Sequence, residues 1–143
     1  MTRLRGKNSS EMSGRKVLLD TNVIIFASKQ QVDVQALLGR YDDFYTSIIS
    51  YMEVYGYPFE RQEEKQLIDE LFESLEIVEV AQPIADQVVI YRQQALKKIK
   101  LPDAIILATA RYLGAELITD DWDDFQGIDE KVTVRSIDDL KIS

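Results

Sequence analysis

The chain has 143 residues, 45% of them hydrophobic, which fits one globular domain with a buried core and offers no apolar run near the ~20 residues of a membrane span. It contains neither cysteine nor histidine, which excludes disulfides, thiolate chemistry and the catalytic designs built on imidazole, and suits a cytoplasmic protein. The net charge is −8, with 18 acidic against 10 basic residues from residue 61 onward and 7 of each before it. That balance excludes a coat-like basic nucleic-acid face, though acids gathered around metal ions still allow a polyanion to bind.

Residues 1–14 are polar and carry Arg3, Arg5 and Lys7. They lack the apolar stretch of a signal peptide and predict a flexible leader to a folded domain over residues 15–143. The run KVLL predicts a short buried strand, with a helix beginning near Asn22. VDVQALLGR predicts a second helix with Gly39 as its C-cap. FYTS predicts a strand, and Ser47 caps a helix whose Ile48, Ile49, Met52 and Tyr55 share a face before Gly56 and Pro58 end it. Residues 60–74 predict an amphipathic helix with a stripe of Leu67, Ile68, Leu71 and Phe72, and LEIVEV an edge-like strand. Pro83 opens a helix expected to reach about Lys98, and Pro102 opens one that stops at Gly114. ELIT predicts the fourth strand, DDWDDF an acidic loop, KVTV the fifth strand and SIDDL a helical turn. Short strands alternating with helices predict an α/β fold, a parallel sheet with helices on both faces, and ligands at the carboxyl ends of its strands.

Four acids fall where such a sheet places its site. Asp20 ends the first strand between two apolar runs, where it serves equally well as an N-cap or as a site residue. Glu53 lies about 40° from Ile49 on a helical wheel, at the border of the apolar face, as a solvated residue or an inward-pointing acid. Asp103 heads the inward stripe Asp103, Ile106, Leu107, Ala110, where the helix dipole also favours an acid. Asp120, Asp121, Asp123 and Asp124 follow the fourth strand; Asp120 and Asp123 read as hydrated loop residues. Carboxylates gathered in one crevice repel one another unless a cation joins them, and with no histidine the oxygen donors favour Mg²⁺ or Mn²⁺.

LLDTNVII, ISYMEVYGY, KLPDAIILATA and LITDDWDDF, in that order, resemble the four motifs of the PIN-domain ribonucleases, in particular the VapC-type toxins of toxin–antitoxin pairs. The resemblance covers about residues 16–137. It implies a five-stranded parallel sheet of order 3-2-1-4-5 and a site of Asp20, Glu53, Asp103 and Asp121 holding one or two Mg²⁺ or Mn²⁺ ions. Asp124 is an auxiliary acid, and the choice between Asp121 and Asp124 as fourth ligand stays open. It further implies hydrolysis of RNA phosphodiesters, a homodimer, and inhibition by a small antitoxin protein. Thr21, Asn22 and Thr119 are polar neighbours that could orient a water or a ligand. Lys97, Lys98 and Lys100 could meet RNA phosphates or simply cap a helix end. Tyr51, Tyr55 and Tyr57 have the spacing of core or dimer packing.

Three other readings compete. A haloacid-dehalogenase-like phosphatase needs a second acid where Asn22 stands, and a signalling receiver domain needs an aspartate that LEIVEVAQP lacks. A catalytically silent PIN-fold binding module is the non-enzymatic alternative, opposed by all four acidic positions being filled.

Overall fold

A computed structural model describes residues 14–94 and 97–142. Of the expected leader only Gly14 falls among them; residues 1–13 lie outside the described residues. Five strands form one parallel sheet of order β3-β2-β1-β4-β5: β1 Lys16–Leu19, β2 Asp43–Ser47, β3 Glu76–Val78, β4 Glu116–Thr119 and β5 Val134–Ser136. The helices are α1 Thr21–Ser28, α2 Val34–Arg40, α3 Ile48–Tyr55, α4 Gln62–Glu73, α5 Gln82–Gln93, α6 Leu101–Leu113 and the short α7 Trp122–Phe125. A 3₁₀ turn, Asp138–Leu140, follows β5. No helix among the described residues is long and apolar enough to cross a membrane.

Strand alternation sorts the core into two layers. Val17 and Leu19 of β1, with Ile118 of β4, face a cluster that includes Val23, Ile24, Leu37 and Ile68 from α1, α2 and α4. Leu18 and Leu117 face the opposite side, against Ile84, Tyr91, Ile106, Leu107 and Phe125 from α5, α6 and α7. Because β1 is sandwiched between them, its residues read as an unbroken apolar run rather than an alternating one. Helix α3 bridges the layers, Val54 joining the first cluster and Ile49 packing on the second.

Several expectations need correction. Helix α3 buries Ser50 and Val54, while Met52 of the expected apolar face is 54% exposed. Gly39 lies within α2; the cap is Tyr41, whose extended backbone turns its ring into the core. Helix α5 stops at Gln93 rather than near Lys98, with Gln94 extended. Arg92 of α5 donates to the Ile99 carbonyl at 3.1 Å, and Ile99 is buried against the second cluster. DDWDDF is helical over its last four residues because Phe125 is buried and Trp122 Nε1 donates to Val134 O at 3.0 Å. The fifth strand begins at Val134, since Val132 turns into the core before the ladder forms. Gly114 does close α6, in the left-handed conformation at φ 67°.

Candidate functional site: an acidic crevice at the carboxyl edge

Every strand of a parallel sheet ends on the same side, so β1 and β4, paired as neighbours, deliver Asp20 and Asp120–Asp121 to one edge. The Asp20 backbone N–H extends the ladder to Ile118 O at 3.0 Å. Its side chain, only 7% exposed, is pinned at both oxygens: Oδ1 accepts from the Thr21 N–H at 2.8 Å and Oδ2 from the Thr119 hydroxyl at 2.6 Å. Cap and site are therefore the same carboxylate. The Thr119 hydroxyl in turn accepts from the Asp121 N–H at 2.9 Å, which ties the start of the acidic loop to Asp20.

Helix α3 begins where β2 ends, with Ser47 Oγ accepting from the Ile49 N–H at 3.1 Å. One and a half turns later Glu53 reaches the same edge, where its Oε1 accepts from the Thr21 hydroxyl at 2.6 Å. Thr21 Oγ1 also lies 2.9 Å from the buried Ser50 Oγ. Asn22 is exposed in the first turn of α1. Asp103 stands in the first turn of α6, half-buried.

The acids sense one another. Burial pushes the Asp20 carboxyl up to about 6; the Thr119 and Thr21 hydrogen bonds oppose that, and the charges of Asp103 and Asp120 add to it. Asp103 is raised by burial and then by Asp124, Asp121 and Glu53, against the pull of Lys100. Asp121 is raised by burial, Asp120 and Asp124, again against Lys100. The sheet and its helices thus hold these acids near enough for their charges to act on one another, despite the repulsion between them.

Two features were not foreseen. Asp120 is no hydrated loop residue: its Oδ1 is buried without a hydrogen-bond partner, and its charge acts on both Asp20 and Asp121. Its position directly after β4 was the available signal. Ser50 is buried under Thr21, marked in sequence only by lying one turn before Val54. Of the three lysines, Lys100 stands beside Asp103 and Asp121, and Lys98 is exposed. Lys97 is committed elsewhere, donating to the carbonyls of Asp123 and Gln126 at the end of α7. Tyr51 and Tyr55 stack with Phe72 of α4, as packing residues.

The donor set, all carboxylate and hydroxyl oxygen with one orphaned buried carboxylate oxygen, suits a hard divalent cation. Among the described residues no group of three or more acids is placed to hold an ion by itself.

The PIN domain family model matches residues 17–131 of the chain. A toxin–antitoxin complex from Klebsiella pneumoniae contains a chain of 34% identity, with 82% of this chain and 95% of that one covered and a TM-score of 0.67. VapBC from Salmonella typhimurium bound to DNA shares the fold at 19% identity, covering 86% and 98%, with a TM-score of 0.73. VapBC2 from Rickettsia felis, bound to a fragment of its promoter, does so at 21%, covering 85% and 98%, with a TM-score of 0.71. No curated protein matches the chain.

Proposed function

The chain belongs to the PIN domain family, and from that premise we propose that it is a divalent-metal-dependent endoribonuclease, the toxin of a VapBC-type toxin–antitoxin pair. The observation that carries this reading is the set of mutually repelling acids at the sheet's carboxyl edge, Asp20, Glu53, Asp103 and Asp121. They hold one or two Mg²⁺ or Mn²⁺ ions directly or through waters, with Asp124 as an auxiliary acid. When bound, the metal lowers the pKa of a water and neutralises charge on the phosphoryl oxygens.

The chain's own groups do the positioning. Thr119 and the Thr21 N–H fix both Asp20 oxygens, leaving their remaining lone pairs for the crevice. Thr21 holds Glu53 in register with Asp20. Lys100, beside Asp103 and Asp121, meets a phosphate brought to them. Water attacks phosphorus in line, the P–O3′ bond breaks, and the products are a 5′-phosphate and a 3′-hydroxyl. The 34%-identical chain from a toxin–antitoxin complex supports an antitoxin partner; the motif resemblance implies that it is a small protein whose C-terminal segment enters the crevice. A homodimer and a cytoplasmic setting complete the proposal.

The absence of a ready-made three-acid group among the described residues favours one alternative, a PIN-fold binding module without catalysis. The two part on one experiment. With Mg²⁺ or Mn²⁺ present, the wild-type protein cleaves RNA and chelator stops it. Asp20→Asn and Asp103→Asn each lower the rate by at least about a hundredfold, the scale of losing a charge aimed at the transition state. Full activity in either variant removes the proposed chemistry, and no wild-type activity under any divalent ion selects the binding module.

A further inference from the structure

Away from the acidic crevice, three arginines come together. Arg15, Arg40 and Arg135 line a cavity of about 540 Å³ with Tyr41, on the sheet face where Ile118 also points. Their countercharges are unevenly shared. Arg15 Nη2 and Arg135 Nε both reach the single carboxylate of Glu116, at 3.2 and 2.8 Å, and the Tyr41 hydroxyl donates to the same group at 2.8 Å. Although partial burial opposes its ionisation, those three donors hold the Glu116 carboxyl below its usual range. One negative charge thus serves two guanidiniums, and each guanidinium keeps further N–H groups free for a second acceptor. Among the described residues Arg40 pairs with the exposed Asp139, at 3.1 Å. Asp138 also lines the cavity, so three guanidiniums meet three carboxylates there, in a chain of net charge −8.

The cavity also runs toward the acids. It shares Ser136 and Asp138 with a second cleft of about 380 Å³ that is lined by Asp120, Asp121 and Trp122. Trp122 is 41% exposed there, its indole N–H held by Val134 O. Asp138 lies between the two, but Lys141 stands 3.7 Å from its carboxylate. From Thr119 to Glu116 is three residues along β4, roughly 10 Å, a span that a nucleotide or two covers.

We propose that a single RNA strand leaves the acidic crevice over Trp122 and Ser136 and sets a flanking phosphate on Arg135, Arg15 and Arg40. This rests on the ribonuclease reading and extends it to a substrate-holding site remote from the scissile bond. Guanidiniums present paired donors matched to phosphate oxygens, and an exposed indole gives a base its stacking face without selecting its sequence. Phosphate contacts of this kind position the strand and leave base choice to other residues.

Trp122 is the only tryptophan, so its fluorescence reports the cleft directly. The experiment titrates a short single-stranded RNA into Asp103→Asn protein, where cleavage is off, at several salt concentrations. The same titration is run with Arg135→Gln or Arg40→Gln added, and with Arg61→Gln as a charge-matched control, each first confirmed folded by its melting curve. RNA quenches Trp122 in the parent protein and in the Arg61→Gln control. Arg135→Gln and Arg40→Gln each weaken binding about three- to tenfold, and each flattens the slope of log K against log salt by about 0.7, one phosphate contact on a single strand. Because Arg40 touches only an exposed acid, its variant keeps the test intact if the Glu116 cluster is disturbed by the other. Unchanged affinity and slope in both variants overturns the proposal and leaves the nuclease reading standing. A parent protein that neither binds nor, as wild type, cuts RNA overturns both. If a polyglutamate peptide binds the parent and is lost in Arg40→Gln while RNA is unaffected, the site serves a protein partner and the proposal falls.

Discussion

Asp20 shows how one side chain carries two demands that pull in opposite directions. As the cap of α1 it gains from being ionised, but burial raises its pKa from 3.8 to about 6. Between those values the folded protein keeps a proton that the unfolded chain has released, so stability falls as pH rises through that window. Above it, metal-free protein carries a penalty on the order of 3 kcal/mol at this residue. Asn at this position removes the charge, still accepts from the Thr21 N–H and donates to the Thr119 hydroxyl, which keeps one lone pair free beside the Asp121 N–H. In chelator at neutral pH, Asp20→Asn therefore unfolds at higher denaturant or temperature than wild type, and the gap closes toward pH 4, where wild-type Asp20 is already neutral. Adding Mg²⁺ raises the wild-type curve more than the variant's, as the tighter binding of a native-state ligand requires. A variant less stable than wild type at pH 7 in chelator would mean Asp20 is not the strained group described. The position of Asp20 was legible in sequence because a lone acid between apolar runs is costly. The orphaned oxygen of Asp120 was not, since in a row of four aspartates the pattern does not say which one turns inward.

At the scale of elements, strands and helix openings followed from local chemistry, and helix endings did so less well. Pro102 before Asp103 and Gly114 after Leu113 bracket α6 as their backbone preferences require. By contrast α5 stops at Gln93 for reasons that lie far off in sequence: Ile99 must reach the core under α6, and Lys97 must reach the carbonyls of Asp123 and Gln126. Likewise α7 forms around a buried Phe125 that a run of acids conceals. Lys97 consequently belongs to the scaffold that holds Asp121 and Asp124. Lys97→Met is expected to cost about 1–2 kcal/mol, the range for a charged hydrogen-bonding partner removed from a partly exposed site, and to speed amide exchange in α7. The salt slope of RNA binding stays as in wild type. A shallower slope with unchanged exchange would return Lys97 to the role of phosphate contact.

At the scale of the molecule, the parallel order β3-β2-β1-β4-β5 turns four separated motifs into neighbours. Asp20 and Asp121 reach the same sheet edge because β1 pairs with β4; Glu53 reaches it because α3 starts at the end of β2, and the Thr21 hydroxyl donates to it there. The strand order was readable from motif succession, and so was the expectation that four acids reach one edge of the sheet. The arginine-lined cavity was not, because Arg15, Arg40 and Arg135 stand in three segments that carry no motif and converge only through the sheet. The central claim is that this convergence makes a seat for a divalent cation. Calorimetric titration of Mn²⁺ into metal-free protein tests it most directly, in wild type, Asp20→Asn and Asp103→Asn side by side. The account predicts saturable binding in wild type and at least about tenfold weaker binding in each variant, the loss of one carboxylate's worth of about 1.4 kcal/mol or more. Absent binding in wild type, or equal binding in all three proteins, contradicts it.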